Sequence, residues 1–326
     1  MDIQRLEGLA RDLVNSSLAP STKRVYSSGQ RRYLEFCKSG SLPPFPLAED
    51  QLCTYVAHLY DEGLLHGTIK GYLSAIRHLQ ILQGLGDPFV SPLPMLEYAL
   101  RGVKLRQAKS RETKPKKRLP MTMDIMDKLR NFWSKEDKSY DSIMLWAASC
   151  MCFYGFLRSG EVTVASMAEF DPEGHLCEGD VALDDLENPA VVRVHIKASK
   201  TDPFRLGVFV FIGKTDNNRC PVAAIAAYLA VRGRADGPFF RWTSGLPLSR
   251  EAFVKGIRKA LSASGMDVSG YSGHSFRIGA ATAAAAAGLE DSLIKTLGRW
   301  RSSAYQTYVR IPRERLAMVS KQLAKV

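Results

Sequence analysis

Apolar side chains recur at the three- to four-residue spacing of amphipathic helices throughout the first hundred residues. The predicted helices cover residues 2–14, Ser21 to Cys37, a segment around Leu52 to Leu59, Thr68 to Gln83 and Pro94 to Arg106. In the second of them, Val25, Leu34 and Phe36 form the predicted apolar face. The Pro-rich string LPPFP at 42–46 separates that helix from the third. The pattern therefore predicts an all-α module of four or five helices.

A second pattern, which mixes helices with strands, begins after residue 118. Thr122 is the predicted cap of a helix that runs to Trp133, and a longer apolar helix follows from about Ser139 to Tyr154. Two stretches rich in β-branched residues, at 190–198 and 204–212, flank the string SKTDP and predict a hairpin with Lys200 at its turn. Further helices are predicted over 220–233, from Ser249 to about Ala263, after Gly273, and over 313–326. This part of the chain is thus predicted to be mixed α/β, mainly helical, with a small antiparallel sheet.

The stretch from 104 to 120, KLRQAKSRETKPKKRLP, is the clearest change in composition along the chain. It holds eight Lys or Arg, one Glu and two Pro, which is the composition of an extended linker between domains. Basic strings of this kind act as nuclear-import signals or lie along nucleic-acid phosphates. Both interpretations stay open for its four central basic residues, Lys114, Lys116, Lys117 and Arg118.

The charge balance of the whole chain favours a polyanionic partner. Forty-five Lys and Arg against 33 Asp and Glu give a net charge of +12 at pH 7, which suits nucleic acid, an anionic membrane surface or plain solubility. No apolar run reaches the roughly 18 residues of a membrane span, and the N-terminal segment lacks the apolar core of a secretory signal. The six cysteines and six histidines show no zinc-ligand spacing. We therefore expect an intracellular protein with no membrane contact, metal, cofactor or small-molecule substrate.

The segment from Gly273 to Arg310 combines the side chains that phosphodiester chemistry requires. The string GHSFR carries His274 and Arg277. LGRW ends at Trp300, eight residues before Tyr308. A guanidinium neutralises phosphate oxygens, an imidazole moves a proton, and a phenol attacks phosphorus. This grouping predicts covalent chemistry on a phosphodiester.

Such a site also needs a second arginine and a general acid, and two upstream strings offer them. FLRSGEV presents Arg158 after an apolar helix, and SKTD presents Lys200 at the hairpin turn. Lys197 and Tyr305 stay open as alternatives to the hairpin-turn lysine and to the last tyrosine, since each lies close by with similar flanks.

In this order, the four strings resemble the tyrosine recombinase (phage integrase) family over roughly residues 140–312. SKTDPFR, HSFRIGAAT and GRWRSSAYQTYVR are most similar to its eukaryotic transposon branch, the DIRS-type retrotransposons and Cryptons. The helical N-terminal module is similar to the family's core-binding domain, which has a SAM-like fold. The resemblance implies a core-binding domain over 1–108, a basic linker over 109–118 and a tyrosine-recombinase catalytic domain over 119–326.

The resemblance also implies a role for each site residue. Tyr308 would attack the scissile phosphate and leave a 3′-phosphotyrosyl link with a free 5′-hydroxyl. Arg158 and Arg277 would clamp the non-bridging oxygens. The family's YVR-type ending favours Tyr308 over Tyr305 as the nucleophile.

The remaining roles concern protons and positioning. Lys200, favoured over Lys197 because the family's lysine lies at the hairpin turn, would protonate the leaving 5′-oxygen. His274 would accept a proton, and Trp300 would buttress the phosphate where many relatives have histidine. Glu161 would orient either that histidine or the first arginine.

The implied function is a site-specific recombinase or integrase of a eukaryotic transposable element, active in the nucleus. It would cut and rejoin double-stranded DNA as a homo-tetramer on two DNA sites, with the terminal helix docked on a neighbouring subunit. A bacterial or phage cytoplasm is the alternative location. The predicted DNA contacts are Lys23, Arg24, Arg31, Lys70, Arg77, Lys114, Lys116, Lys117 and Arg118. Two alternative functions stay open: a non-enzymatic DNA-binding protein that kept the fold, and a monomeric enzyme similar to type IB topoisomerases.

Overall fold

The structure, a computed structural model, describes residues 2–110, 118–135, 139–202 and 204–310. The chain forms two compact units, Met1–Pro115 and Lys116–Val326. The division falls within the basic stretch that the sequence predicts as a linker. Both units are mainly helical, and the second also holds a three-stranded antiparallel sheet. The predicted architecture, an all-α unit followed by a mainly helical unit with a small sheet, is confirmed.

The described part of the N-terminal unit holds five helices. They are α1 (Ile3–Ser16), α2 (Pro20–Ser39), α3 (Glu49–Asp61), α4 (His66–Leu82) and α5 (Pro94–Lys109). The core of this unit includes the buried side chains of Tyr33, Tyr55, Leu59 and Ile76. α1 contributes no buried residue, so helices α2 to α5 supply that core.

The buried face of α2 differs from the predicted one. Val25 and Leu34 are 52% and 41% exposed, whereas Gly29, Tyr33 and Cys37 are buried. A Cβ at Gly29 would lie 2.9 Å from an aromatic ring on α4, so the missing side chain permits the two helices to approach closely. This contact turns the face that carries the glycine inward and leaves Val25 and Leu34 at the surface. Phe36, the third residue of the predicted face, is half-buried and packs against the core.

The described part of the C-terminal unit holds seven helices. They are α6 (Met123–Lys135), α7 (Tyr140–Tyr154), α8 (Ser159–Val162), α9 (Pro221–Arg232), α10 (Arg250–Ala263), α11 (Ser275–Ala286) and α12 (Asp291–Gly298). Three short 3₁₀ turns, Met167–Glu169, Glu178–Asp180 and Ser303–Thr307, accompany them. α7 is buried from Met144 to Phe153 except at the half-buried Trp146, as expected for a helix that is apolar around its whole circumference. The predicted caps are present, because Thr122 Oγ1 accepts from the Ile125 N–H and Ser249 Oγ from the Ala252 N–H.

The sheet contains the predicted hairpin and one strand that the sequence does not predict. β2 (Val191–Ile196) and β3 (Val208–Gly213) pair antiparallel, with Val194 opposite Val210. Alternate residues of β2 are buried, which anchors the hairpin on the core. β1 (Val181–Leu183) lies on the other side of β2. Three residues are too few to show the alternation by which a strand is predicted.

Two sequence predictions lie outside the described residues: the linker lysines Lys114, Lys116 and Lys117, and the terminal helix over 313–326. All six cysteines are described, and each is a free thiol. Within the described ranges, none of the helices combines the length and apolar character that a bilayer crossing requires.

Candidate active site

Arg158 stands at the junction of α7 and α8. After α7 ends, Phe156 adopts a left-handed backbone with φ 51°, and Arg158 becomes the N-cap residue of α8. Its backbone N–H donates to Glu161 Oε2 at 2.8 Å, and its Nη1 donates to Glu161 Oε1 at 2.9 Å. Glu161 therefore closes the first turn of α8 and fixes the guanidinium at the same time.

Arg277, in the first turn of α11, is completely buried. Its Nη1 donates to the carbonyl oxygen of Phe156 at 2.6 Å, and its Nη2 donates to that of Gly298. The side chain thus ties the end of α7 to the end of α12. Burial, followed by the positive charge of Arg158, lowers the pKa of Arg277, yet a guanidinium stays charged at neutral pH. Its buried Nε–H has no described hydrogen-bond partner.

Trp300 covers this guanidinium. The Arg277 Cζ lies 4.3 Å from the centroid of the indole, a cation–π geometry. A Cβ at Gly298 would lie 1.7 Å from the indole, so only glycine fits at that position. The indole Nε1 is buried and has no described hydrogen-bond partner. An unsatisfied donor therefore lies beside the buried arginine.

Tyr308 is the tyrosine that lies beside both of these side chains. Its ring is 5.1 Å from the Trp300 ring, centroid to centroid, and 5.8 Å from the Arg277 Cζ. It is half-buried. Tyr305 is buried instead, and its hydroxyl donates to Asp291. The two candidates for the nucleophile thus differ, since the hydroxyl of Tyr305 is already engaged by a carboxylate.

His274 is the N-cap residue of α11 and is half-buried. A Cβ on the preceding Gly273 would lie 2.0 Å from Ser159 Oγ, so the first turns of α8 and α11 are in close contact. Burial is the largest cause that lowers the pKa of the imidazole. Four arginines lower it further, in the order Arg118, Arg158, Arg250 and Arg277. Burial and positive charge therefore favour the neutral imidazole, which is the form that can accept a proton.

The sequence left two partners open for Glu161, and the structure describes bonds with Arg158 but none with His274. The second partner of the carboxylate is Arg299, which the sequence analysis missed. Arg299 Nη2 donates to Glu161 Oε2 at 2.7 Å. Arg299 stands in the string LGRW, between Gly298 and Trp300, so its position in a motif was visible in the sequence. The neighbouring residues do not show that its side chain turns toward α8.

Neither candidate lysine is brought into described contact with the arginines. Lys200 is exposed at the hairpin turn. Lys197 is engaged elsewhere, since its Nζ lies 2.6 Å from Asp180 Oδ2 and donates to the carbonyl oxygen of Pro172. Lys200 is thus accessible at the surface, whereas Lys197 is held by a carboxylate.

The residues predicted to contact DNA are all at the surface where they are described. Lys23, Arg24 and Arg31 are exposed on α2, Lys70 and Arg77 are exposed on α4, and Arg118 is exposed in the second unit. Arg77 has an additional partner that the sequence did not indicate. Its Nε donates to Asp87 Oδ1 at 2.8 Å, and its Nη2 donates to the other carboxylate oxygen. A bidentate pair of this kind fixes the loop after α4 and reduces the charge available to DNA.

The site therefore brings together phosphate-binding, proton-accepting and nucleophilic groups from distant segments. Among the described residues, no group of His, Cys, Asp and Glu is arranged to hold a metal ion. Guanidiniums are the groups here that can neutralise a phosphate and stabilise the charge it gains during substitution at phosphorus.

Comparisons with known proteins find similar structures but no similar sequence. A scan against protein-family models gives no match, and a search of curated proteins finds no similar sequence. Among solved structures, a Tn1549 transposon integrase in complex with transposon right-end DNA aligns with TM-score 0.59 at 15% identity, over 94% of this chain and 95% of that one. A lambda integrase dimer bound to a COC′ core site aligns with TM-score 0.57 at 16% identity, over 94% of this chain and 76% of that one. The chain has the fold of the tyrosine recombinases.

A third similar structure extends the same result. The XerH site-specific recombinase, in a post-cleavage complex with a palindromic difH substrate, aligns with TM-score 0.52 at 14% identity, over 84% of this chain and 69% of that one. At such identities the similarity to tyrosine recombinases establishes the fold, and the functional argument rests on the side chains of the site.

Proposed function

We propose that the chain is a site-specific DNA recombinase that cuts and rejoins double-stranded DNA through a 3′-phosphotyrosyl intermediate. The observation that carries the proposal is the contact, within a tyrosine-recombinase fold, of Arg277 with the Trp300 indole and the Tyr308 phenol. A second guanidinium, that of Arg158, is near enough for its charge to lower the pKa of Arg277. Phosphate-binding groups beside a nucleophile are what phosphoryl transfer to a side chain needs.

In the proposed reaction, the phenolic oxygen of Tyr308 attacks the scissile phosphorus. The new bond to phosphorus forms as the bond to the 5′-oxygen breaks. The phenolic proton passes to the neutral His274, and Lys200, carried by its hairpin turn, gives a proton to the leaving 5′-oxygen. Attack by a 5′-hydroxyl reverses the steps and restores the tyrosine. The covalent link conserves the phosphodiester bond energy, so rejoining needs no nucleotide cofactor.

The arginines supply the electrostatic part of this reaction. A phosphodiester that undergoes substitution gains negative charge, and a positioned donor for such charge is worth about 3–4 kcal/mol. Since Arg277 has no exposed surface, the phosphate reaches it after the covering Trp300 and Tyr308 rings move aside. The unsatisfied Nε1–H of Trp300 then donates to a phosphate oxygen, which matches the buttressing role that the sequence predicts.

The finer features of the proposal rest on sequence strings. The similarity of SKTDPFR, HSFRIGAAT and GRWRSSAYQTYVR to the DIRS and Crypton branch supports a eukaryotic transposable element as the source, and the basic string at 114–118 supports nuclear import. Double-stranded DNA as the partner is supported by the DNA complexes of the Tn1549 and lambda integrases, which share the fold. A homo-tetramer on two DNA sites would join four such cuts in one exchange of strands.

The nucleophile is tested with a nicked suicide duplex that carries the target site, identified by selection from a random DNA pool. The wild type is expected to form a covalent adduct whose mass maps to Tyr308, and Tyr308→Phe is expected to form none. Tyr305→Phe is the matched control and should keep the adduct, because its hydroxyl is bonded to Asp291. An adduct on Tyr305, or one that survives in Tyr308→Phe, would disprove the assignment.

The two alternative functions are separated by plasmid assays. A recombinase exchanges strands between two sites, whereas an enzyme similar to type IB topoisomerases relaxes supercoiled plasmid as a monomer without a second site. A non-enzymatic DNA-binding protein does neither while still binding duplex DNA. The position of Tyr308 beside Arg277 favours an enzyme, since binding alone makes no use of a nucleophile.

A further inference from the structure

Glu161 bridges two guanidiniums. Its Oε1 accepts from Arg158 Nη1 at 2.9 Å, and its Oε2 accepts from Arg299 Nη2 at 2.7 Å. The carboxylate side chain is 4% exposed, and those of Arg158 and Arg299 are 17% and 13% exposed. Ion pairs this well shielded from water interact far more strongly than surface pairs. Removing the charge of one partner therefore leaves a buried charge without its counter-ion.

The backbone conformation at Arg299 is unfavourable for a residue with a side chain. Arg299 follows the last residue of α12 with φ 54° and ψ 42°, a left-handed conformation in which glycine or asparagine is the usual residue. A side chain there costs conformational energy, and such strain is retained mainly at functional sites. Here the conformation directs the side chain toward α8, where it meets Glu161 and, at 3.5 Å, the carbonyl oxygen of Gly155.

The charges of the site leave a positive excess. The buried or nearly buried guanidiniums of Arg158, Arg277 and Arg299 and the carboxylate of Glu161, with His274 neutral, give a net charge of +2. The nearby Arg118 and Arg250 add to the positive potential and are not part of this count. A phosphodiester carries one negative charge, and a second arrives with the attacking phenolic oxygen once its proton has left. Uncompensated buried charge is costly unless a ligand neutralises it. Without Arg299 the excess falls to +1, and Glu161 then neutralises Arg158 by itself.

We propose that Arg299 is a positioning residue that neutralises Glu161, so that the charges of Arg158 and Arg277 remain available to the phosphoryl group. The inference rests on the proposed recombinase reaction and assigns Arg299 no contact with DNA. It predicts that removal of Arg299 slows adduct formation because Glu161 then neutralises Arg158. Removal of the Glu161 carboxylate as well should restore the rate.

A double-mutant cycle tests this dependence. The variants are Arg299→Met, which keeps most of the apolar stem, Glu161→Gln, the double variant, and Arg299→Lys. Arg299→Met is expected to slow adduct formation on the suicide duplex by about 10- to 100-fold, the range of coupling between contacting charged residues. DNA affinity should stay within about threefold, because only steps that develop charge are affected.

Rescue is the decisive measurement. The double variant is expected to form adduct at least about tenfold faster than Arg299→Met, and Arg299→Lys should keep most of the wild-type rate, because both restore the charge balance. Arg301→Met, an exposed arginine two residues further on, is the control and should react like the wild type. A double variant as slow as Arg299→Met, or slower, would show that Arg299 acts on the phosphate or on the fold and would overturn the proposal.

A wild type that forms no adduct would contradict the proposed function. In that case the inference is tested by the binding of inorganic orthovanadate, measured as a shift in Tm. Wild type and double variant should be stabilised by the oxyanion and Arg299→Met should not. Equal shifts in all three, or none in the wild type, would overturn the charge argument separately. The Tm values without oxyanion show that each variant is folded.

Discussion

Gly298 illustrates how closely single residues are fitted around the buried arginine. Its carbonyl oxygen accepts from Arg277 Nη2, and the indole of Trp300 occupies the space where a side chain would be. The lack of a Cβ at this one position therefore permits the indole to lie against the backbone that binds Arg277. A glycine at the end of a helix is usually explained by its backbone freedom, but here close approach of the ring is the reason.

Gly298→Ala is expected to displace the indole, since the new Cβ would lie 1.7 Å from it. Overpacking of this kind costs roughly 1–3 kcal/mol in the free energy of unfolding, measurable by urea denaturation. Adduct formation should fall with it, because the displaced indole can no longer donate to the phosphate oxygen as proposed. The matched control is Gly102→Ala, where nothing lies within 4 Å of the new Cβ and the helix propensity of alanine favours a gain of up to about 1 kcal/mol. Equal stability of Gly298→Ala and wild type would contradict the packing argument.

His274 gives the site a defined pH dependence. Burial, then the nearby Arg118, Arg158, Arg250 and Arg277, lowers the pKa of the imidazole. The unfolded chain takes up a proton near the ordinary pKa of about 6.5, whereas the folded state resists it. The stability that depends on a neutral imidazole is therefore present above about pH 6.5 and is lost as the pH falls through the lower folded pKa.

We accordingly expect the wild type to lose more stability than His274→Gln between pH 7 and pH 5. Urea denaturation at a series of pH values gives the free energy of unfolding for both proteins, and their difference isolates the histidine from the other titrating groups. The glutamine keeps a polar side chain of similar reach without a titrating ring. Curves that stay parallel over this range would mean that the histidine is protonated equally easily in both states.

At the scale of elements, the basic stretch between the two units has a composition that does not distinguish between its possible roles. Arg118 is exposed and close enough to His274 to lower the pKa of that imidazole. Lys114, Lys116 and Lys117 lie outside the described residues. Their composition is compatible with contact to DNA phosphates and with nuclear import, and these two roles predict different measurements.

Replacing Lys114, Lys116, Lys117 and Arg118 together by neutral residues distinguishes contact with DNA from nuclear import. Each phosphate contact contributes about −0.9 to the slope of log K against log salt, so the slope should flatten by roughly two to four units, and all DNA sequences should be weakened alike. An unchanged slope with loss of nuclear entry would identify an import signal alone. A comparison variant neutralises four basic residues on α2 and α4: Lys23, Arg24, Arg31 and Lys70. If only that variant flattens the slope, the grip on DNA lies on these helices.

The elements themselves follow closely from the sequence pattern. The helices with strong apolar periodicity and the hairpin of β2 and β3 agree with prediction, because periodicity and turn residues are local properties. β1 escaped prediction because it is only three residues long. The predicted face of α2 was wrong for Val25 and Leu34, though not for Phe36, because several apolar positions competed for the core. Contact with α4 at Gly29 decided among them. Local pattern sets the type of an element more reliably than its orientation.

At the scale of the whole molecule, the fold is shared with two integrases and a site-specific recombinase at 14–16% identity. So low an identity is compatible with a common fold because the helical faces and the hairpin require apolar character and spacing more than particular residues. The net charge of +12 acts at the same scale. It strengthens attraction to a polyanion over distances near the Debye length, about 8 Å at physiological ionic strength.

The sequence by itself determined the all-α unit, the mainly helical unit with a small sheet and the basic segment between them. It also determined which residues are the candidate catalytic groups. These groups were recognisable because each stands in a short string with its chemistry. Their grouping is a property of the tertiary structure. Glu161 and Arg299 are 138 residues apart in the chain and 2.7 Å apart in space, and Arg277 meets the carbonyl oxygen of Phe156 across 121 residues. Such contacts depend on how whole helices pack, so no local pattern contains them. Packing decided that Glu161 bridges two arginines, that Arg277 is buried beneath Trp300, and that Tyr308 rather than Tyr305 lies beside both.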